Sequence, residues 1–293
     1  MPSNLESLIA VRSQKATVVL AFLGEVAKQA AAGLPAYFPK HLRQPKPGEP
    51  LPFDTVRQQI RVIEDRDVLD QNQAIINELE RINNLNDRNI YSLRYSELIG
   101  KGNQQPQKSY SFLWHDKVLA RYPRMAILGD SGYGKSWLLR YEARRLAMEQ
   151  GKALSEQRLA WENLVLPIPV RREQLAQYLS KNCTFEHALK NVLVKNHLWP
   201  IDERHSTIFG LFFAEKLHTD RCLLLLDAFD ETSDNKRKVL IENLGGFLLS
   251  SQFKTKVILA SRIMGYVPFP ELKKMELAGF DPRQSLAVAK IWY

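Results

Sequence analysis

The chain has 293 residues, 45% hydrophobic and 25% charged, a balance that excludes a disordered or fibrous protein and supplies ample side chain for a core. Only two cysteines, Cys183 and Cys222, and six scattered histidines occur. That excludes a disulfide framework, gives no pair at metal-ligand spacing, and suits a reducing, cytoplasmic setting. The formal charge of +9 falls mostly beyond residue 114 but is spread out, without the basic cluster and interleaved aromatics of a nucleic-acid surface.

Residues 3–32 are expected to form a helix, because Leu5, Leu8, Val19, Phe22 and Val26 recur near helical spacing and Gly33 follows. Inside it, ATVVLAFL at 16–23 is far short of the roughly 20 apolar residues of a membrane span. Glu25 and Lys28 follow at once, so this run reads as a buried helix face rather than an export signal, and no membrane partner is expected. Six prolines from Pro35 to Pro52 then rule out regular helix and make residues 35–52 a linker or extended arm. Residues 54–83 resume a helical pattern through Val56, Ile60, Ile63, Val68, Ile75, Leu79 and Ile82, with Asp54 as N-cap. Residues 100–109 are polar and read as a loop. Residues 1–114 thus form an expected all-helical N-terminal region, with no nuclease carboxylate set, Cys/His dyad or serine elbow.

From about residue 115 short apolar runs alternate with helical stretches. Strands are expected at 124–129, 164–171, 222–228, 256–261 and 273–278, and helices at 135–150, 185–195 and 206–217. Pro167 and Pro169 suit an edge position for the second of these strands. The alternation predicts an α/β domain over 115–293, with a parallel sheet covered by helices on both faces.

Gly129-Asp130-Ser131-Gly132-Tyr133-Gly134-Lys135-Ser136 fits G-x-x-x-x-G-K-[ST], the P-loop pattern, and falls between an expected strand and an expected helix. Glycines let the backbone curl so that successive N–H groups and the helix N-terminus cradle an anion. Lys135 supplies a cation for the β- and γ-phosphates, and the Ser136 hydroxyl a ligand for Mg²⁺. A magnesium-phosphate site needs a carboxylate opposite. LLLLDAFDE at 223–231 offers Asp227 at the C-terminal end of a buried strand, where open α/β sheets bind ligands. Asp227 is therefore the candidate magnesium acid. Asp230 and Glu231, within one turn, are the candidates for orienting an attacking water. Arg262, closing VILASR at 257–262, is the candidate contact to a γ-phosphate.

As a set, RYPRMAILGDSGYGKSWLLRYEA, LVLPIPVRREQLAQYL, CLLLLDAFDE, VILASR and MELAGFDPRQSLAVAKIWY resemble, in order, the motifs of a NACHT domain. That domain belongs to the signal transduction ATPases with numerous domains. The resemblance covers about residues 115–293. It implies a P-loop NTPase three-layer fold, ATP or ADP with Mg²⁺ as cofactor, and roles for Gly129 to Ser136, Trp137, Asp227, Asp230, Glu231 and Arg262 around the nucleotide. Two departures stand out. Ala228 and Phe229 replace the glycine and leucine of the family's DGLDE-like motif, and Trp137 replaces a common threonine beside the phosphates.

The resemblance further implies a slow, regulatory ATPase acting as a signalling switch, which self-associates on activation. An unidentified ligand or protein would trigger it, and residues 1–114 would serve as effector or adaptor toward a downstream partner. Innate immune or anti-phage defence is the implied setting. The family commonly continues into helical, winged-helix and repeat regions, so the chain reads as the N-terminal part of a longer protein or as a short form. A continuously cycling ATPase remodeller and a non-hydrolysing nucleotide-bound adaptor remain open alternatives. ATP rather than GTP rests on the resemblance, together with the lack of an N-K-x-D motif.

Overall fold

Successive residues of a strand point to opposite faces of a sheet, so the uninterrupted run Leu223–Leu226 demands apolar cover on both sides. A computed structural model of the chain describes residues 4–32, 59–62, 110–113, 116–180, 183–229, 234–250, 254–277 and 286. In chain order its elements are α1 (Asn4–Ala32), β1 (Gln59–Val62), β2 (Tyr110–Leu113), α2 (Asp116–Arg121), β3 (Arg124–Leu128) and α3 (Lys135–Ser155). Then come β4 (Leu166–Arg171), α4 (Arg172–Tyr178), α5 (Phe185–Lys195), α6 (Glu203–His218), β5 (Cys222–Asp227), α7 (Asp234–Leu249), β6 (Lys256–Ser261) and β7 (Lys273–Leu277). All four leucines of β5 are buried, as are Val257 to Ala260 in β6 and Met125 to Leu128 in β3. The central strands are thus covered on both faces.

The sheet runs in the order β2-β1-β7-β3-β6-β5-β4. The five strands β7, β3, β6, β5 and β4 pair in parallel, giving an α/β sheet compatible with a P-loop-type fold. After β3 the chain crosses to the far edge at β4. It returns inward through β5 and β6, then passes to the other side of β3 as β7. As expected from its two prolines, β4 stands at the edge of the sheet. Pro167 and Pro169 are registered against Leu223 and Leu225, and prolines that cannot donate are tolerated at an edge.

The opposite end of the sheet corrects two expectations. Residues 54–83 were expected to be helical, yet Gln59–Val62 is a strand, and the region before residue 115 is not all helical. The sheet is also mixed rather than wholly parallel: β1 runs antiparallel to both β7 and β2. The reason is tertiary. An uncovered β7 would leave a row of backbone N–H and C=O groups open, and pairing with Ile60, Arg61 and Val62 satisfies them. The intermittent Val56, Ile60, Ile63 spacing is too weak a helical signal to resist that pairing. The expected linker at 35–52, the rest of 54–83 and the loop at 100–109 lie outside the described residues.

Helix α1 packs against α3 and α6. Val18, Val19, Phe22, Leu23, Val26 and Ala30 form its buried stripe, so the apolar run at 16–23 faces the protein interior. Among the described residues no helix is long and apolar enough to cross a membrane. The two helices α1 and α3 meet near Gly151, where an added Cβ would stand 3.9 Å from the Leu23 Cβ, an ordinary van der Waals distance. On α6, the Phe22 ring meets Phe209 at 5.0 Å, and the Lys15 ammonium lies 4.5 Å from the Phe212 ring. At its C-terminal end the Gln29 amide donates to the Asn196 carbonyl oxygen at 2.7 Å. Short caps start α5 and α6, Thr184 Oγ accepting from the His187 amide and Asp202 from the His205 amide. Arg124 ties the start of β3 to its neighbours by donating to the Leu248 and Thr255 carbonyl oxygens.

Because α1 is part of this core, Phe22→Ala is expected to destabilise the protein by about 3–5 kcal/mol, the usual range for deleting a buried aromatic. Urea unfolding measures it, and a loss below about 0.5 kcal/mol, the surface-substitution range, would show that α1 is not packed as described.

Candidate nucleotide site

The site is assembled where strands end. Strand β3 stops at Leu128, and the chain turns through residues 129–134 before α3 begins at Lys135. Gly132 and Gly134 have φ of 84° and 85°, a left-handed backbone open to glycine and costly for other residues. At Gly132 an added Cβ would meet nothing within 4 Å, so conformation rather than crowding selects glycine there. Asp130, Ser131 and Tyr133 are exposed and Gly129 is buried. The loop closes on its own lysine: the Lys135 ammonium donates to the Gly129 and Asp130 carbonyl oxygens, each at 2.7 Å. Trp137 is turned along α3, where it stacks on Tyr141 at 5.4 Å.

Across the sheet, β5 delivers Asp227. Although β6 lies between β3 and β5, the Ser136 hydroxyl donates to Asp227 Oδ1 at 2.8 Å. The same Oδ1 accepts the Ala228 amide at 2.9 Å. One carboxylate oxygen is thereby oriented from two sides. The two oxygens expected to hold Mg²⁺ stand together, and the hard oxygen donor set suits that ion. The left-handed glycines, the lysine and the serine–aspartate pair fit a magnesium nucleotide.

Residue 228 carries the one departure with a visible backbone consequence. Ala228 has a φ of 57°, in the left-handed region where the family-like motif places glycine. Alanine holds that conformation only because its surroundings enforce it. The next residue, Phe229, donates its amide to the Ala260 carbonyl oxygen at 3.0 Å and is buried.

Of the other expected site residues, Arg262 is exposed at the end of β6. Its strand neighbour Ser261 is registered against Leu128, immediately before the loop, so Arg262 shares the sheet edge with the loop and Asp227. Asp230 and Glu231 lie outside the described residues. Sequence reasoning missed two residues at this edge, Arg172 and Phe229. Their signals were a doubled arginine directly after a strand and a phenylalanine inside an otherwise acidic run. Cys222 is a small buried core residue, as read from the sequence, and burial pushes its thiol pKa up. The chain matches no family model, and a search of curated proteins returns no match.

The strain at Ala228 is testable. Ala228→Gly is expected to be neutral or stabilising by up to about 1 kcal/mol, since the relief of left-handed strain is partly offset by glycine's unfolded-state entropy. Ala228→Val should destabilise by about 2 kcal/mol, as a β-branched residue tolerates positive φ least. Equal thermal stability of the two variants would contradict the backbone assignment.

Proposed function

We propose that the chain is an ATP- and ADP-dependent signalling switch, a NACHT-like P-loop NTPase with a three-layer fold. The observation that carries this reading is the 2.8 Å hydrogen bond between Ser136 and Asp227. It unites the loop expected to bind phosphate with the acid expected to bind metal. In this reading the loop N–H groups and Lys135 hold the β- and γ-phosphates, while Ser136 and Asp227 hold Mg²⁺. The ion's chemistry is to neutralise charge on the phosphate oxygens. Asp230 and Glu231 are assigned to water orientation and Arg262 to the γ-phosphate.

A nucleotide drives a switch only by binding two conformations unequally. Moving a population from 1:99 to 99:1 takes about 5.5 kcal/mol of differential affinity. Charged hydrogen bonds contribute about 1.5–3 kcal/mol each, so roughly two to four contacts made to the γ-phosphate alone suffice. Arg262 and the loop provide contacts of that type. The proposal includes self-association on activation, a downstream partner engaged through residues 1–114, a cytoplasmic location and a role in defence signalling. Hydrolysis in this account resets the switch and is slow.

Two substitutions test the site. Lys135→Ala is expected to weaken Mg-ATP binding by at least about 100-fold, because the phosphates lose their fixed cation; unchanged affinity by calorimetry would remove the phosphate assignment. In Asp227→Asn, nucleotide should still bind without magnesium, but the added affinity that magnesium gives the native protein should fall about tenfold or more with the lost carboxylate ligand. An unaltered magnesium dependence would place the metal elsewhere.

A further inference from the structure

Arg172, the first residue of α4 directly after strand β4, has no part in the phosphate cradle or the magnesium pair. It is 1% exposed, among the largest fully buried side chains of the described residues. It follows Arg171, which is registered against Asp227. Its guanidinium carbon stands 5.1 Å from the centroid of the Phe229 ring. Phe229 in turn meets the Phe269 ring edge-on at 5.9 Å, and its amide is held by Ala260 on β6. The short turn from Asp227 to Phe229 is thus gripped from three directions: α4, β6 and the segment before β7.

Packing alone gives no reason for an arginine at this position. A guanidinium taken out of water loses its hydration, and methionine or leucine would fill comparable volume without that loss. What the cation adds is direction, because it is attracted to the face of an aromatic ring, and more strongly where water is excluded. The turn needs such a hold, since Ala228 between the grips keeps a left-handed φ of 57° that alanine alone would abandon.

We infer that Arg172 is a positioning residue for the nucleotide site. By seating the Phe229 ring it fixes the turn from Asp227 to Phe229, and with it the strand end that carries the magnesium acid proposed above. Its effect on turnover rests on the nucleotide reading above; its effect on the turn does not.

The test uses the full chain and two readouts. Amide hydrogen exchange follows Phe229 against Leu224 and Leu225 of β5, and ATP turnover is measured beside Mg-ATP affinity. Arg172→Met is expected to speed Phe229 exchange about tenfold or more while leaving the β5 amides within about threefold, the pattern of local rather than global opening. It should lower kcat about tenfold or more with affinity changed less than about threefold, as for a residue acting only on the reacting arrangement. Arg172→Lys, which keeps charge but not the planar group, should fall between. Unchanged Phe229 exchange overturns the inference, as does exchange that rises equally in β5, or faster exchange with normal turnover. If Arg172→Met does not fold, Phe229→Leu removes the ring instead and must give the same selective pattern; its absence is equally contrary. A native protein that binds no Mg-ATP would refute the proposed function, and the exchange comparison would still decide the case of Arg172.

Discussion

Ser136 and Asp227 are separated by 91 residues and by an intervening strand, yet their side chains meet at 2.8 Å. That contact constrains much of the architecture. It requires β5 to end level with the start of α3, which the parallel registers enforce: Leu128 lies beside Ser261 on β6, and Leu226 beside Leu259. One residue of slip would carry Asp227 away from the serine and turn its side chain to the other face. Because β3, β5 and β6 are apolar on both faces, the register is held by the close packing of unlike side chains and by the polar strand ends rather than by an alternation of polar and apolar positions.

Helix α3 connects this site to the rest of the molecule. Its first residues are Lys135 and Ser136, and near its other end Gly151 faces Leu23 of α1. A helix is stiff over this length. The loop and the α1 contacts thus lie at the two ends of one helix, and α1 in turn meets α6 through Phe22 and Phe209. The N-terminal helix is consequently better regarded as part of the α/β unit than as a separate appendage. Strands β1 and β2, which extend the same sheet beyond β7, point the same way.

Much of the fold was legible because its signals are local. The leucine run of β5 is too apolar for anything but a central strand, and Pro167 and Pro169 declared β4 an edge. The loop glycines announced the left-handed turns found at Gly132 and Gly134. Other elements depend on partners that periodicity does not reveal. Gln59–Val62 became a strand because β7 had an open side, which overrode a helical spacing. Helix α7 was missed because Gly245 and Gly246 interrupt its apolar pattern, and α4 because one short amphipathic stretch offers too few turns to establish a period. At the site, Asp227 was found from its position after the leucines. Arg172 was not, because a buried arginine cannot be told from a surface one until the ring it lies against is placed.

Whether the native protein carries a nucleotide bears most directly on whether residues 129–136 and Asp227 form a working site. Protein purified without added nucleotide would be denatured and the released small molecules separated by ion-exchange chromatography. Adenine nucleotide, chiefly ADP, is expected at close to one molecule per chain. An empty protein that also fails to take up added Mg-ATP would contradict it.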